Sequence, residues 1–283
     1  MTASSAVGTI KVVIAGVNGR MGRASLQALD GRTDLAVVGA FGRQGAPYVG
    51  KDIGEISAFA AKDKTGILVS NGFLDSVTGA KPDVLLDFTL SEIAVENAKA
   101  ALERGIRPVI GTSGISPQET DELAKIASQK KLGAMIVPNF SVGAVLMMEF
   151  SRQAAAMFEH AEIIEMHHPA KVDAPSGTAM HTVRKIAASG NQFNKPQVQE
   201  KELLKGARGG SGDAGVHVHS LRLPGLISHQ EVIFGGDGEL LSIKHDSFTV
   251  DCFLKGIVMA LKAVMQQERL TVGLESILSL GAK

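Results

Sequence analysis

The chain holds no tryptophan, one tyrosine and one cysteine among its 283 residues. A lone Cys252 cannot close an internal disulfide, which excludes a disulfide scaffold and points to a reducing, cytoplasmic setting. No apolar run approaches the roughly 18 to 20 residues that a membrane span needs, so no membrane association is expected. Neither sign of charge is in excess: 29 Lys plus Arg balance 29 Asp plus Glu, and the global basic field that nucleic acid would require is missing. Residues 1–9 read as a short polar arm rather than an apolar leader. Small molecules are the expected partners. What the chain has in quantity is glycine, 32 in all, as in α/β folds whose tight turns approach nucleotides closely.

The pattern of apolar runs divides the chain. Ile10–Ala15 is a short, nearly continuous apolar run that suits a strand buried on both faces, followed by helical spacing over residues 19–29 and a β-branched run at Leu35–Phe41. Further short runs at 84–88, 108–110 and 134–137 alternate with helical stretches at 91–104 and Pro117–Lys130. Such alternation predicts a doubly wound parallel sheet of the Rossmann type over residues 1–138. After that the texture changes: a helix over 143–158, a strand over 161–167, a glycine-rich mobile loop over 206–215, and three strands at 216–223, 230–234 and 240–245. The last three are expected to form an antiparallel meander beside the 161–167 strand, in an α+β substrate-binding domain spanning 139–251. Helical segments at 252–267 and 273–280 are expected to pack back on the first domain.

Where the first strand meets the first helix the chain reads Gly16, Val17, Asn18, Gly19, Arg20, Met21, Gly22. Glycines there permit a tight turn and close phosphate approach, and the helix N-terminus offers unpaired N–H groups, so a dinucleotide pyrophosphate is the expected occupant. A glycine-rich turn without ligand is the plain alternative. The second strand ends Ala40-Phe41-Gly42-Arg43, with a guanidinium and no carboxylate, which favours the 2′-phosphate of NADPH over NADH; a merely solvated Arg43 is the alternative. Asp87-Phe88-Thr89 and Gly111-Thr112-Ser113-Gly114 follow strands on the same sheet edge, where they suit either a nicotinamide ribose or ordinary helix capping.

Residues 165–179, EMHHPAKVDAPSGTA, concentrate two imidazoles, an ammonium and a helix-opening Ser-Gly-Thr. Cationic donors, backbone N–H groups and an acid titrating near neutrality can together hold a small dianion and hand it a proton. In an extended strand His167 shares a face with Glu165 and His168 points away, so the two histidines need not share a task. Structural histidines and a solvated lysine are the bland reading. His167-His168 lacks the spacing of a zinc site, while His217 and His219 would share one face of a strand and could in principle chelate, with a sheet-interface role favoured; no metal is expected.

Taken in order, GVNGRMG, DFT, GTSG, PNFSVG and above all E-x-HH-x-x-K-x-DAPSGTA resemble the 4-hydroxy-tetrahydrodipicolinate (dihydrodipicolinate) reductase family along nearly the whole chain. The resemblance implies a cytoplasmic homotetramer, assembled through its second domain, that reduces a cyclic unsaturated dicarboxylate with NADPH or NADH on the diaminopimelate route to lysine. Carried over, it makes His167 the proton donor and Lys171 a second donor that holds substrate, with His168, Ser176, Gly177 and Thr178 on the carboxylates. Gly16 to Met21 would hold pyrophosphate and Arg43 the ribose phosphate. Gly111, Thr112 and Ser113, with Val137, Pro138, Asn139 and Phe140, would hold the nicotinamide end. Two departures stand out: the acidic residue often found after the second strand is Gly42 here, and an arginine common near position 250 is Val250. Another two-domain NADP-dependent reductase of a small carboxylic acid, or a non-catalytic NADP-binding redox sensor, are the competing readings.

Overall fold

A computed structural model describes residues 8–56, 64–199 and 201–278. Residues 1–7 of the expected arm and 279–280 of the expected last helix lie outside them. The chain forms two units, one made of the residues before Ser141 together with a segment beginning at Phe253, the other of Ser141–Cys252.

In the first unit strands β1 (Ile10–Ala15), β2 (Leu35–Phe41), β3 (Val69–Ser70), β4 (Val84–Asp87), β5 (Arg107–Ile110) and β6 (Ala134–Ile136) alternate with helices. The helices are α1 (Arg20–Leu29), α2 (Ile53–Ile56), α3 (Phe73–Val77), α4 (Ser91–Glu103) and α5 (Pro117–Lys130). Val12, Val13, Ile14 and Ala15 are wholly buried, as expected of a strand covered on both faces. Sequence chemistry sets the helix ends: Ser116 accepts the Glu119 N–H while the Glu119 carboxylate accepts the Ser116 N–H, a capping box with Pro117 next to it.

The second unit holds α6 (Val142–Ala154), β7 (His160–His167), α7 (Gly177–Ala187), β8 (Gly210–Ser211), β9 (His217–Arg222), β10 (Ser228–Gly236) and β11 (Glu239–Ser247). Its sheet runs β11-β10-β7-β9-β8, and β7 pairs antiparallel with β10 but parallel with β9. The expected meander is therefore wrong. Only β10 and β11 form a hairpin, while the turn at Pro224-Gly225 carries the chain past the end of β7. The pairing follows a shared core: Ala161 and Ile163 on β7 pack with Val218 of β9 and with Val232 and Phe234 of β10, closed by Ala179, Val183 and Ile186 of α7. Part of the supposed mobile loop is ordered as β8, which adds antiparallel to β9.

Beyond Phe253 the chain adds α8 (Leu254–Ala263) and β12 (Leu270–Val272) to the first unit. A strand thus lies in the gap between the two expected helical segments, for which no element was expected, and within the second of them residues 274–277 form a single 3-10 turn. The complete sheet is parallel, in the order β12-β6-β5-β4-β1-β2-β3. Apart from β12 this is the doubly wound order in which ligands lie over the carboxyl ends of β1 and β4, where the chain reverses its direction of growth. The expected fold class is borne out.

Candidate active site

In the first unit the turn after β1 is shaped by two glycines. Gly16 adopts φ +70°, and a Cβ there would stand 3.1 Å from the Phe88 carbonyl oxygen, so the turns after β1 and β4 abut. A Cβ at Gly22 would stand 2.6 Å from the Cα and carbonyl oxygen of Val17, so only glycine lets α1 start this close to the strand. Val17 is fully buried and serves packing, whereas Arg23 reaches back to the Asn18 carbonyl and side-chain oxygens. Gly19 caps α1 with no side-chain acceptor and no acidic residue follows in the first turn, so the N–H groups of Arg20, Met21 and Gly22 face outward from a positive helix end. That end suits an anionic phosphate.

The other candidate cofactor residues divide into backbone and core. Gly111 is glycine because a Cβ would collide with Phe88 and stand 2.9 Å from Phe140, whose rings meet edge to face at 5.7 Å. Val137 and Phe140 are buried, so their side chains build the core and only their backbone can meet a ligand. Thr112 donates its hydroxyl to the Thr89 carbonyl at 2.6 Å, tying two turns of the sheet edge together. Ser113 and Pro138 are exposed and Asn139 is half-buried. Arg43 is exposed and pairs with no carboxylate among the described residues. Its backbone N–H donates to the Tyr48 hydroxyl at 3.2 Å.

In the second unit the cluster is organised by a buried carboxylate. Glu165 is wholly buried on β7, and His167, two residues on along the same face, meets it through Nδ1 at 2.5 Å. Arg222, the parallel-strand partner of His167, clamps the same carboxylate with Nη2 at 2.7 Å and Nη1 at 3.0 Å. Burial works to raise the Glu165 carboxyl, but hydrogen bonds from Arg222, Ser220 and His167 prevail and hold it below the ordinary range. For His167 burial wins: its imidazolium is held below the usual range despite Glu165, with Lys171 and Arg222 pushing the same way as burial. With Nδ1 held by Glu165, Nε2 is the ring nitrogen without a hydrogen-bond partner among the described residues.

Lys171 pairs with Asp173 at 2.7 Å in the loop after β7, and Arg222 steadies that loop by donating to the Asp173 carbonyl at 2.8 Å. His168 follows the end of β7 and is half-buried, apart from the Glu165 contact. Ser176 caps α7, accepting the Ala179 N–H at 3.1 Å. Gly177 is exposed, its φ is not left-handed, and among the described residues nothing lies within 4 Å of a Cβ built on it. Thr178 is half-buried in the same first turn. Sequence reasoning placed Glu165 beside His167 without giving it a task and missed Arg222, whose only signal is its register on a strand more than fifty residues away. His217 and His219 both turn to Glu162, at 3.3 and 2.7 Å.

Comparison with known proteins sharpens this picture. The family model described as dihydrodipicolinate reductase, N-terminus, matches residues 10–140, and that described as dihydrodipicolinate reductase, C-terminus, matches residues 143–278. The chain belongs to the dihydrodipicolinate reductase family. It is similar to the 4-hydroxy-tetrahydrodipicolinate reductases of Moorella thermoacetica, 44% identical over 96% of this chain and 99% of that protein, and Geobacillus thermodenitrificans, 45% identical over 95% and 99%. Among solved structures it resembles the dipicolinate-bound dihydrodipicolinate reductase from Paenisporosarcina sp. TG-14, with a TM-score of 0.85 and 37% identity over 95% of this chain and 99% of that one. An amine dehydrogenase from Mycobacterium smegmatis, 16% identical with a TM-score of 0.59 over 90% and 91%, shares the fold alone. Membership of this reductase family makes the chain an NAD(P)H-dependent oxidoreductase and sets aside the redox-sensor reading.

Proposed function

We propose that the protein reduces 4-hydroxy-tetrahydrodipicolinate to tetrahydrodipicolinate in lysine biosynthesis through diaminopimelate, with NADPH preferred to NADH. The observation that carries the proposal is the Glu165-clamped His167 followed by Lys171 and an open, glycine-led helix end at residues 176–178, in a chain whose family is established. When bound, the reduced nicotinamide supplies the hydride. The N–H groups of α1 hold its pyrophosphate, Arg43 its ribose phosphate, and residues 111–113 and 137–140 its nicotinamide end. His167 delivers the proton to the substrate ring. A dianion arriving beside it favours the imidazolium, reversing the effect of burial in the free protein. Lys171 leaves Asp173 for the substrate, offsets its negative charge and acts as second donor.

His168, Ser176, Gly177 and Thr178 receive the carboxylates. Gly177 fits such a role: neither backbone conformation nor packing within the protein requires a glycine there, and a ligand brought close to the α7 N-terminus does. The second unit also exposes Leu203, Leu204, Leu223, Leu240 and Phe248, which suits assembly into a homotetramer through this part of the chain. The single free Cys252 suits the cytoplasm.

The test is the oxidation of NADPH by the purified protein with 4-hydroxy-tetrahydrodipicolinate freshly made by the preceding synthase. Turnover with NADPH exceeding that with NADH is expected, and Lys171→Ala should lose about 10²-fold or more of kcat/KM. Full activity in that variant removes the role of Lys171, and no oxidation by wild type removes the substrate assignment.

A further inference from the structure

Gly42 follows the carboxyl end of the second strand, yet its own backbone asks for no glycine, since its φ is not left-handed. Tyr48 is what asks for it. A Cβ on residue 42 would collide with the ring at Cε2 and would stand 2.7 Å from the hydroxyl oxygen. The ring is half-buried and its loop is tied down. The Ala46 N–H donates to the Arg43 carbonyl at 3.1 Å, the Lys51 N–H to the Tyr48 carbonyl at 3.2 Å, and the Gly50 N–H to the Val69 carbonyl at 2.8 Å. Tyr48 therefore fills the space into which a side chain from residue 42 would project.

The end of β2 is where this fold receives the adenosine ribose. A 2′-hydroxyl is recognised there by an acceptor, usually a carboxylate, whereas a 2′-phosphate needs donors. The Arg43–Tyr48 pair supplies donors. The hydroxyl oxygen of Tyr48 already accepts the Arg43 N–H, and its hydrogen is not given to any described residue. The Arg43 guanidinium, one residue after Gly42, has no ion-pair partner among the described residues.

We propose that Tyr48 is a specificity-determining residue: it bars a side chain at position 42 and donates its hydroxyl hydrogen, beside Arg43, to the adenosine 2′-phosphate. The proposal rests on the nucleotide-binding reading above and gives its preference for NADPH a second physical source besides the arginine charge.

The composition of the chain makes the test direct. Tyr48 is the sole tyrosine and there is no tryptophan, so intrinsic emission excited beyond the phenylalanine band comes from this one ring. Titration of the full chain with adenosine 2′,5′-bisphosphate, which carries the phosphate and no nicotinamide, is expected to change that emission saturably. Adenosine 5′-monophosphate is expected to need about ten-fold more or higher concentrations. By calorimetry, Tyr48→Phe, which keeps the ring, should lose about ten-fold in affinity for the bisphosphate while its affinity for the monophosphate holds. Equal bisphosphate affinity in the variant and wild type overturns the proposal and leaves the nucleotide site standing, as does an emission that saturating bisphosphate does not move. Failure of the wild-type chain to bind either nucleotide overturns both the proposal and the reading beneath it. Should Tyr48→Phe not fold, the wild-type emission, which needs no variant, decides alone.

Discussion

Glu165 touches no solvent, yet it governs how His167 titrates. In the free protein burial holds the imidazolium below its ordinary value of 6.5, and Glu165 is the group that opposes this. Because kcat/KM reports the free enzyme, the proposed role of His167 as proton donor predicts that kcat/KM falls as pH rises, with a midpoint below 6.5. Glu165→Gln withdraws the opposing charge and leaves Arg222 unpaired beside the ring. Both changes move that midpoint lower, and pH profiles of the two proteins check it. A limb that stays in place or moves up removes the positioning role of Glu165. Glu165 itself titrates below its ordinary 4.5, because Arg222, Ser220 and His167 outweigh burial. Its contribution to stability is therefore present above 4.5 and lost as pH falls through its lower folded value.

At the scale of elements, the start of α7 lets a structural role and the proposed ligand-binding role be told apart. Ser176→Ala removes the acceptor for the Ala179 N–H and should cost about 1 kcal/mol in urea unfolding. Gly177→Ala enters open space at an ordinary φ, so stability should not fall, while KM for the substrate rises by about ten-fold or more as the ligand is pushed from the helix end. If both variants behave alike, the glycine is structural. Elements of this kind were legible in the sequence because their signals are local: apolar runs for β1 and β4, the helical stretch from Pro117 for α5, Ser-Gly-Thr for α7. The misread meander had no local signal, since β7 finds β9 through a pairing that only the shared core dictates. β3 and β12 are two and three residues long, too short to show a period. Likewise the site's histidines and lysine stand in one motif, whereas Arg222 and the Tyr48–Gly42 contact exist only after folding.

On the scale of the whole molecule, the chain returns to its first unit after completing its second. The returning segment buries Ile257, Ala260 and Leu261 of α8, packs α8 beside α1, and extends the sheet with β12 against β6. Its fit is close, for a Cβ at Gly256 would run into the Phe140 carbonyl. A chain ended after Cys252 should therefore lose the rise in melting temperature expected of wild type with NADPH, although the whole glycine turn proposed to hold the pyrophosphate is retained. A preserved rise would show that the first unit folds without its returning segment.

The position of β7 has a consequence in time as well as in space. His167 and Glu165 lie on the central strand of their sheet, but Arg222, which completes the carboxylate clamp, is 57 residues beyond Glu165. During synthesis β7 leaves the ribosome with its apolar residues before either neighbouring strand exists, and every pairing it makes must close a long loop. The His167–Glu165–Arg222 cluster is thus expected among the last parts of the second unit to acquire its geometry, and until then its central strand is the segment most open to pairing with the wrong chain.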